Sequence, residues 1–363
     1  MVSLQRPTTI RGESHEHPSP PCVPGEVPWV KTLISELDEP ARKAGVRIVP
    51  SCGYTVPSDL GVLSTVRTLA SRRGTGTRSV HGFMQFNGKL SGGTMATGLL
   101  LDRRGDEEQA ARRDPFLLGG APPGGQVREE DMDVEGAAFD EAMGCWTAPF
   151  WMASISTRVV RRSHELFRQH AASPPCPDGI ATHSQRSHPH ADPYGNEFGY
   201  VERALARDQG VANNLALTAQ QLGASPERRE ALIRRGKLPS PGEGPSAEVR
   251  AKSWFRLLLL GRGDDGSSVL TQVSGGDPGY DETSKMVSEA AILLATRRPS
   301  LPALRRGWGG DGTGGVLTPA FALGQPLIDE LCSRGVSFCH FDHLHSEHEI
   351  ARELQDALGR GAG

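Results

Sequence analysis

The stretch TQVSGGDPGYDETSKMVSEAAILLA, residues 271–295, starts as a strand and ends as a helix. Thr271, Gln272 and Val273 follow the apolar run of 254–260 across a polar tip, Gly263-Asp264-Asp265-Gly266, so 251–261 and 267–274 read as a hairpin of long strands. Gly275 and Gly276 carry no Cβ, which lets the backbone take unusual dihedrals or another group come close. Asp277 precedes Pro278 and is pushed out of the helical region. Asp281 is a candidate N-cap, and Glu282 suits the positive end of a helix. Met286, Val287, Ala290, Ala291, Leu293 and Leu294 then recur at helical spacing. A strand that turns through glycines into a helix start offers backbone N–H groups to an anion or a cofactor edge. A tightly packed turn without a ligand accounts for the same residues equally well.

The 363 residues suffice for one large domain or two ordinary ones. Hydrophobic content of 37% and charge of 23% belong to a soluble globular chain, and 44 Gly with 27 Pro predict long loops. A net charge of −3 gives no general attraction to nucleic acid or to an anionic membrane. No apolar run approaches the ~20 residues of a membrane span. Residues 1–21 contain no apolar signal core. The six cysteines (Cys22, Cys52, Cys145, Cys176, Cys332, Cys339) form no CxxC pair, which is the usage of a reducing compartment. The expected location is cytoplasmic.

Taken in order, residues 1–24 are polar, Pro-rich and expected to be disordered. Residues 27–44 read as a helix through Val30, Leu33, Ile34 and Leu37, and 46–49 as a short strand. After the turn SCGYTVPSDLG (51–61), Ser58 or Asp59 caps a helix carrying Leu60, Leu63, Val66 and Leu69. Residues 78–87 read as a strand, and SGGT (91–94) leads into a helix over 95–103. Residues 104–142 read as a long loop, 151–169 as a helix bearing Arg158, Arg161 and Arg162, 171–195 as an inserted loop, and 198–222 as a long helix. Residues 223–249 and 297–315 read as surface loops. Thr318 caps a helix with Pro319 at its first position, Leu327, Ile328 and Leu331 form its apolar face, and Pro326 is expected to kink it. Residues 336–341 read as a last strand before a polar tail over 342–363.

With these pieces placed, the chain resembles the saccharopine dehydrogenase-like oxidoreductases, and within them the trans-acting enoyl reductases. The matching stretches are GEVPWV (25–30), RIVPSCGYTVPSDLGVL (47–63), SGGTMATGLLL (91–101), PFWMASISTRVVRRSHEL (149–166), YGNEFGYVE (194–202), GPSAEVRAKSWFRL (244–257), VSGGDPGYDETSKM (273–286) and GGVLTPAFALG (314–324). They occur in family order over nearly the whole chain. The resemblance implies NADP or NAD as cofactor and reduction of a carbon–carbon double bond in a lipid or polyketide-type acyl substrate. Hydride goes to the β-carbon and a proton to the α-carbon, and the substrate is an acyl chain, free or carrier-linked. It also implies a homodimer through the sheet domain, and it admits peripheral membrane or lipid-droplet contact.

Two departures stand out. The family opens with a strand running into a GATGFxG-type turn that brings the pyrophosphate to a helix start, and these 363 residues contain no such turn. The family's CGFDSIPSD pattern is here CGYTVPSD (52–59), one residue shorter. The expectation is therefore an α+β chain in two parts. A partial Rossmann remnant (25–75 with 318–341) packs on a mainly antiparallel sheet domain (76–317) with helices on one face, and binds dinucleotide weakly. The competing reading is a non-catalytic acyl-binding or assembly protein.

By resemblance, three turns approach the nicotinamide edge: CGYTVPSD, SGGT and SGGDPGY (274–280). They supply Gly53, Ser58, Asp59, Ser91, Gly92, Gly93, Thr94, Gly275 and Gly276 for the cofactor. Tyr280 is then the proton donor, Lys285 lowers its pKa, and Asp277 completes the catalytic set. The structural alternative is that Asp59 and Asp277 cap helices and Tyr280 packs on the sheet. The three arginines at 158–162 suit either a phosphate or a solvated helix face paired with acids. Residues 339–348, CHFDHLHSEH, are of metal-ligand types but read by default as polar tail, so no metal is expected.

Overall fold

The structure, a computed structural model, describes residues 26–102, 105–141, 143–172, 194–195, 197–224, 226–296, 301, 314–341 and 349–353. Along the chain come α1 (Val27–Lys43), β1 (Arg47–Ile48), α2 (Val56–Arg73), β2 (Thr77–Asn87), α3 (Gly92–Asp102), α4 (Asp106–Ala111), β3 (Ala138–Asp140), β4 (Cys145–Pro149) and α5 (Ala153–Ala172). There follow β5 (Gly199–Ala206), α6 (Gln209–Ala224), α7 (Pro226–Arg234), α8 (Ala247–Arg250), β6 (Trp254–Gly263), β7 (Ser268–Gly275), α9 (Asp281–Thr296), β8 (Gly315–Val316), α10 (Pro319–Ala322), α11 (Gly324–Ser333) and β9 (Ser337–His340).

Seven strands make one sheet in the order β3-β4-β5-β2-β6-β7-β9, antiparallel throughout except for the parallel pair β2–β5. This is the expected α+β architecture. The register places Val80, Met84, Leu257, Leu259 and Val273 on one face, under α2, α5, α9 and α11, and this layer is the main core. Helix α2 lies close on the sheet because Gly61 has no side chain. A Cβ there would stand 2.5 Å from Leu259 Cδ1 and 2.9 Å from Val273 Cγ2. The opposite face carries a smaller apolar cluster of Phe83, Leu258, Leu260 and Leu270 with Met143 and Ile350.

β1 and β8 form a separate two-stranded parallel sheet, Arg47 opposite Gly315, over which Leu33 and Ala41 of α1 pack. Residues 336–341, expected beside this small unit, instead supply β9, which pairs with β7 at the edge of the large sheet. Helix α2 likewise packs on β6 and β7.

The long helix read over 198–222 is a correction. Residues Gly199–Ala206 are a strand inserted between β4 and β2, and a helix begins only at Gln209. Glu, Arg, Ala and Leu are good helix formers, but Tyr200, Glu202 and Ala204 alternate inward with period two, and burial between two strands wins. Asp208 then stops the strand and caps α6, its Oδ1 accepting from Val211 N at 2.9 Å.

The loop read over 104–142 contains α4 and β3. α2 begins at Val56, so Ser58 and Asp59 sit in its first turn and cap nothing at its start. Thr318 does cap α10, accepting from Phe321 N, but the break from α11 falls at Leu323 and Gly324 (φ +50°), ahead of Pro326. Most of the inserted loop, of 297–315 and of the tail lies outside the described residues. No described helix is long and apolar enough to cross a membrane.

Candidate functional site

The sheet ends in a cavity of about 580 Å³. Tyr54, Phe86, Trp151 and Met152 line it from the sheet and α5 side. Met95, Gly98 and Leu101 line it from α3, and Arg112 and Arg113 from the end of α4. The three turns singled out in the sequence converge here. Tyr54 comes from the first, Ser91, Gly93 and Thr94 from the second, and Pro278 and Gly279 from the third. The segments flanking these turns lie side by side, since a Cβ on Gly53 would stand 3.2 Å from Thr283 Cγ2 and one on Gly88 3.5 Å from Pro278 Cδ.

The other expected cofactor residues do not face the cavity. Gly275 lies against Phe255, where a Cβ would come within 2.8 Å of its ring. Gly276 N donates to Glu282 Oε1 at 3.1 Å. Gly92 is covered by the 240–243 loop, with its N–H donated to Glu243 O at 2.9 Å and no room for a Cβ beside Ser240 O. Ser91 Oγ accepts from Thr94 N at 3.0 Å and so caps α3. Ser58 and Asp59 are fully buried.

The expected catalytic residues are spoken for. The Tyr280 hydroxyl donates to Glu243 O at 3.1 Å and does not line the cavity. Lys285 Nζ pairs with Glu282 Oε2 at 2.6 Å rather than with Tyr280. Asp277 Oδ2 accepts from Tyr280 N at 2.7 Å and from Asp281 N at 3.3 Å, so Asp277 rather than Asp281 caps α9. Thus the backbone N–H groups of Gly92 and Thr94 at the start of α3, and of Tyr280, Asp281 and Glu282 at the start of α9, are engaged by the protein itself.

Behind the cavity wall lies a buried polar network that the sequence reading missed. Tyr200 and Glu202, two residues apart on β5, point to the same face, and the Tyr200 hydroxyl donates to Glu202 Oε2. Burial pushes the Glu202 carboxyl up to about 7 against the hydrogen bonds from Tyr200 and Ser58. Burial likewise raises Asp59 to about 7, although Ser163 and Ala320 N donate to it. Tyr54 joins cavity and network. Its hydroxyl faces Met84 Sδ at 3.6 Å, and burial, then the Glu202 charge, holds its proton on. An inward Glu beside an inward Tyr in YGNEFGYVE was the available signal, hidden by the helical reading of that stretch.

The arginines of α5 face neither solvent nor a ligand. Arg158 binds Asp133 and the carbonyl of Arg112, and Arg161 binds the carbonyls of Pro115, Asp131 and Tyr200. Arg162 reaches Val316 O at 3.3 Å. All three are buried, and they fasten the 112–133 segment and β8 to α5. Among the described residues no cluster of His, Cys, Asp and Glu could hold a metal. His340 is instead surrounded by the hydroxyls of Ser64, Thr68 and Thr271.

A mainly antiparallel sheet under helices, with a cavity where three glycine turns meet, defines an α+β protein with one end open to a pocket. No family model and no solved structure matches the chain. A protein of Mycobacterium tuberculosis strain H37Rv assigned as a trans-acting enoyl reductase is 30% identical over 333 residues, 86% of this chain and 71% of the relative. Trans-acting enoyl reductases of Mycobacterium ulcerans and Mycobacterium bovis are 28% identical over 329 and 339 residues, with the same shares covered. The chain belongs to the trans-acting enoyl reductase family.

Proposed function

We propose that the chain serves NAD(P)H-dependent reduction of an enoyl double bond in a lipid or polyketide-type acyl substrate, and that its cavity holds the acyl group. The wider kinship we propose is with the saccharopine dehydrogenase-like oxidoreductases, on the eight stretches quoted above. The observation that carries the reading is the cavity itself. Most of its lining surface is apolar, and it has the size of a small-molecule site. Its residues exclude water from the acyl chain and fix its position.

A nicotinamide cofactor supplies the hydride in such a reaction. The residues present do not fit its pyrophosphate. A helix start binds phosphate through free backbone N–H groups, and here those of Gly92, Thr94, Gly276, Tyr280 and Asp281 are already donated within the chain. This favours a second reading, an acyl-binding or assembly protein that needs a partner for turnover. The experiment is to mix the purified chain with a 2-dodecenoyl thioester and NADPH or NADH, and to follow thioester binding and loss of reduced nicotinamide separately. Turnover supports the reductase, and binding without turnover supports the second reading. Neither binding nor turnover overturns both.

A further inference from the structure

Helix α7 turns an arginine inward. Its sequence, PERREALIR, offers Leu232 and Ile233 for burial, yet these are half-buried, and Arg229 alone among its residues is buried. A buried cation is unfavourable unless the groups opposite it draw on its charge. Arg229 lines the cavity wall where α7 packs on α3. Its guanidinium lies over Gly98 of α3, where a Cβ would meet Nη1 at 2.6 Å. A glycine inside a helix costs about 1 kcal/mol relative to alanine. At 98 it gives the guanidinium room to lie against the helix. Gly98 itself lines the cavity, and no Asp or Glu does.

We propose that Arg229 receives the carbonyl oxygen of the acyl group, its guanidinium N–H donating to that oxygen and fixing the head of the chain at the α3–α7 wall. The proposal rests on the reading that the cavity holds an acyl chain. A thioester carbonyl that leaves water for a mostly apolar wall needs a donor to replace the water it loses. A guanidinium is a strong one, because a charge-assisted hydrogen bond exceeds a neutral one and gains further away from water. The same contact draws electron density from a conjugated double bond towards the oxygen and leaves the β-carbon electron-poor. Arg229 thus orients the acyl head and polarises it.

The probe is the 2-dodecenoyl thioester of N-acetylcysteamine, labelled with carbon-13 at the carbonyl and read by difference infrared spectroscopy on the full chain. An apolar wall alone raises the carbonyl stretch above its value in water, and a guanidinium donor lowers it below that value. The wild-type chain is expected to lower it. Arg229→Met keeps the length of the side chain without the donor. It should bind the probe about tenfold more weakly and move the stretch above the water value. Arg229→Lys should keep part of the lowering. Gly98→Ala probes the same contact with the arginine in place. Its methyl pushes the guanidinium aside, so the lowering should shrink, while melting holds or rises because alanine favours the helix. If Arg229→Met does not fold, Gly98→Ala decides alone. An arginine that only fastens α7 to α3 leaves the stretch the same in every chain that binds, and that result overturns the proposal. A wild-type stretch above the water value overturns it too. So does free 2-dodecenoate bound more tightly than the thioester and lost in Arg229→Met, which makes the arginine a carboxylate receptor. In these three cases the cavity still holds the chain. If neither thioester nor acid binds, the acyl reading and the proposal fall together.

Discussion

The backbone N–H of Ala320 donates to Asp59 Oδ2 at 2.8 Å, so a carboxylate in the first turn of α2 caps α10 from 261 residues away in sequence. Ser163 on α5 shares the other oxygen and also meets Thr318 Oγ1 at 2.6 Å. One buried acid thus ties three helices together at the end of β8. Its proton has consequences for stability.

Asp59 and Glu202 both have folded pKa values raised to about 7 from the usual carboxylate values, by burial. A raised folded value means the native chain holds the proton more tightly than the unfolded chain. The stabilisation is complete below the unfolded pKa and is lost as pH rises through about 7. His164, lowered to about 4 by burial, works the other way, losing stability as pH falls from 6.5 towards 4. The two effects oppose each other on the acid side, so the acids show cleanly only from about pH 6.5 upward. Urea midpoints are expected to fall as pH rises from about 6.5 through about 7 and to level off above that, and Asp59→Asn, which mimics the protonated form, should flatten the fall. An unchanged slope in the variant would show that Asp59 is ionised in the native state.

Gly61→Ala should cost about 1–3 kcal/mol, since the added methyl has to displace Leu259 and Val273 in a filled core. Chemical unfolding reads this directly. A neutral result would mean that α2 can lift from the sheet without penalty.

Arg158→Ala removes a buried guanidinium and leaves the part-exposed Asp133 and the carbonyls of Arg112 and Arg113 without their donor, at about 1–3 kcal/mol. The 112–133 segment should then exchange its amide hydrogens faster and be cut sooner by protease. Acyl binding should weaken with it, because Arg112 and Arg113 stand on the same segment.

Tyr280→Phe removes a hydroxyl whose hydrogen bond goes to the Glu243 carbonyl. Turnover in a reconstituted assay should stay within about twofold, and stability within about 1 kcal/mol. A drop of kcat by orders of magnitude would return Tyr280 to the role of proton donor and require the 240–243 loop to open.

How much of this was legible in the sequence depends on the range of the forces involved. The hairpin of β6 and β7, the turn into α9 and the Thr318-Pro319 start are local, set by period, cap and Pro, and were read from residues within one or two turns. The α+β class was expected from the family resemblance with these elements placed in it. β5 was misread because its helix-forming residues are overruled by pairing with β2 and β4, contacts distant in sequence. The meeting of the three glycine turns was expected. Whether their N–H groups were free was not legible, because it depends on the 240–243 loop covering Gly92 and on Glu282 folding back onto Gly276. The α5 arginines looked like a surface charge run, since nothing local reveals that carbonyls 30 or more residues away receive them.

The most direct test of the acyl cavity is photolabelling with a diazirine-bearing dodecanoyl thioester, mapped by mass spectrometry, with Gly93→Trp as control. Gly93 lines the cavity and has free space at its Cβ, the nearest atom being Ser91 Oγ at 3.6 Å, so a tryptophan is expected to narrow the cavity without displacing its neighbours. The label is expected on Met95, Trp151 and Met152, and about tenfold less of it in the variant. Labelling that spreads over the surface, or that Gly93→Trp leaves unchanged, would contradict the acyl-binding site.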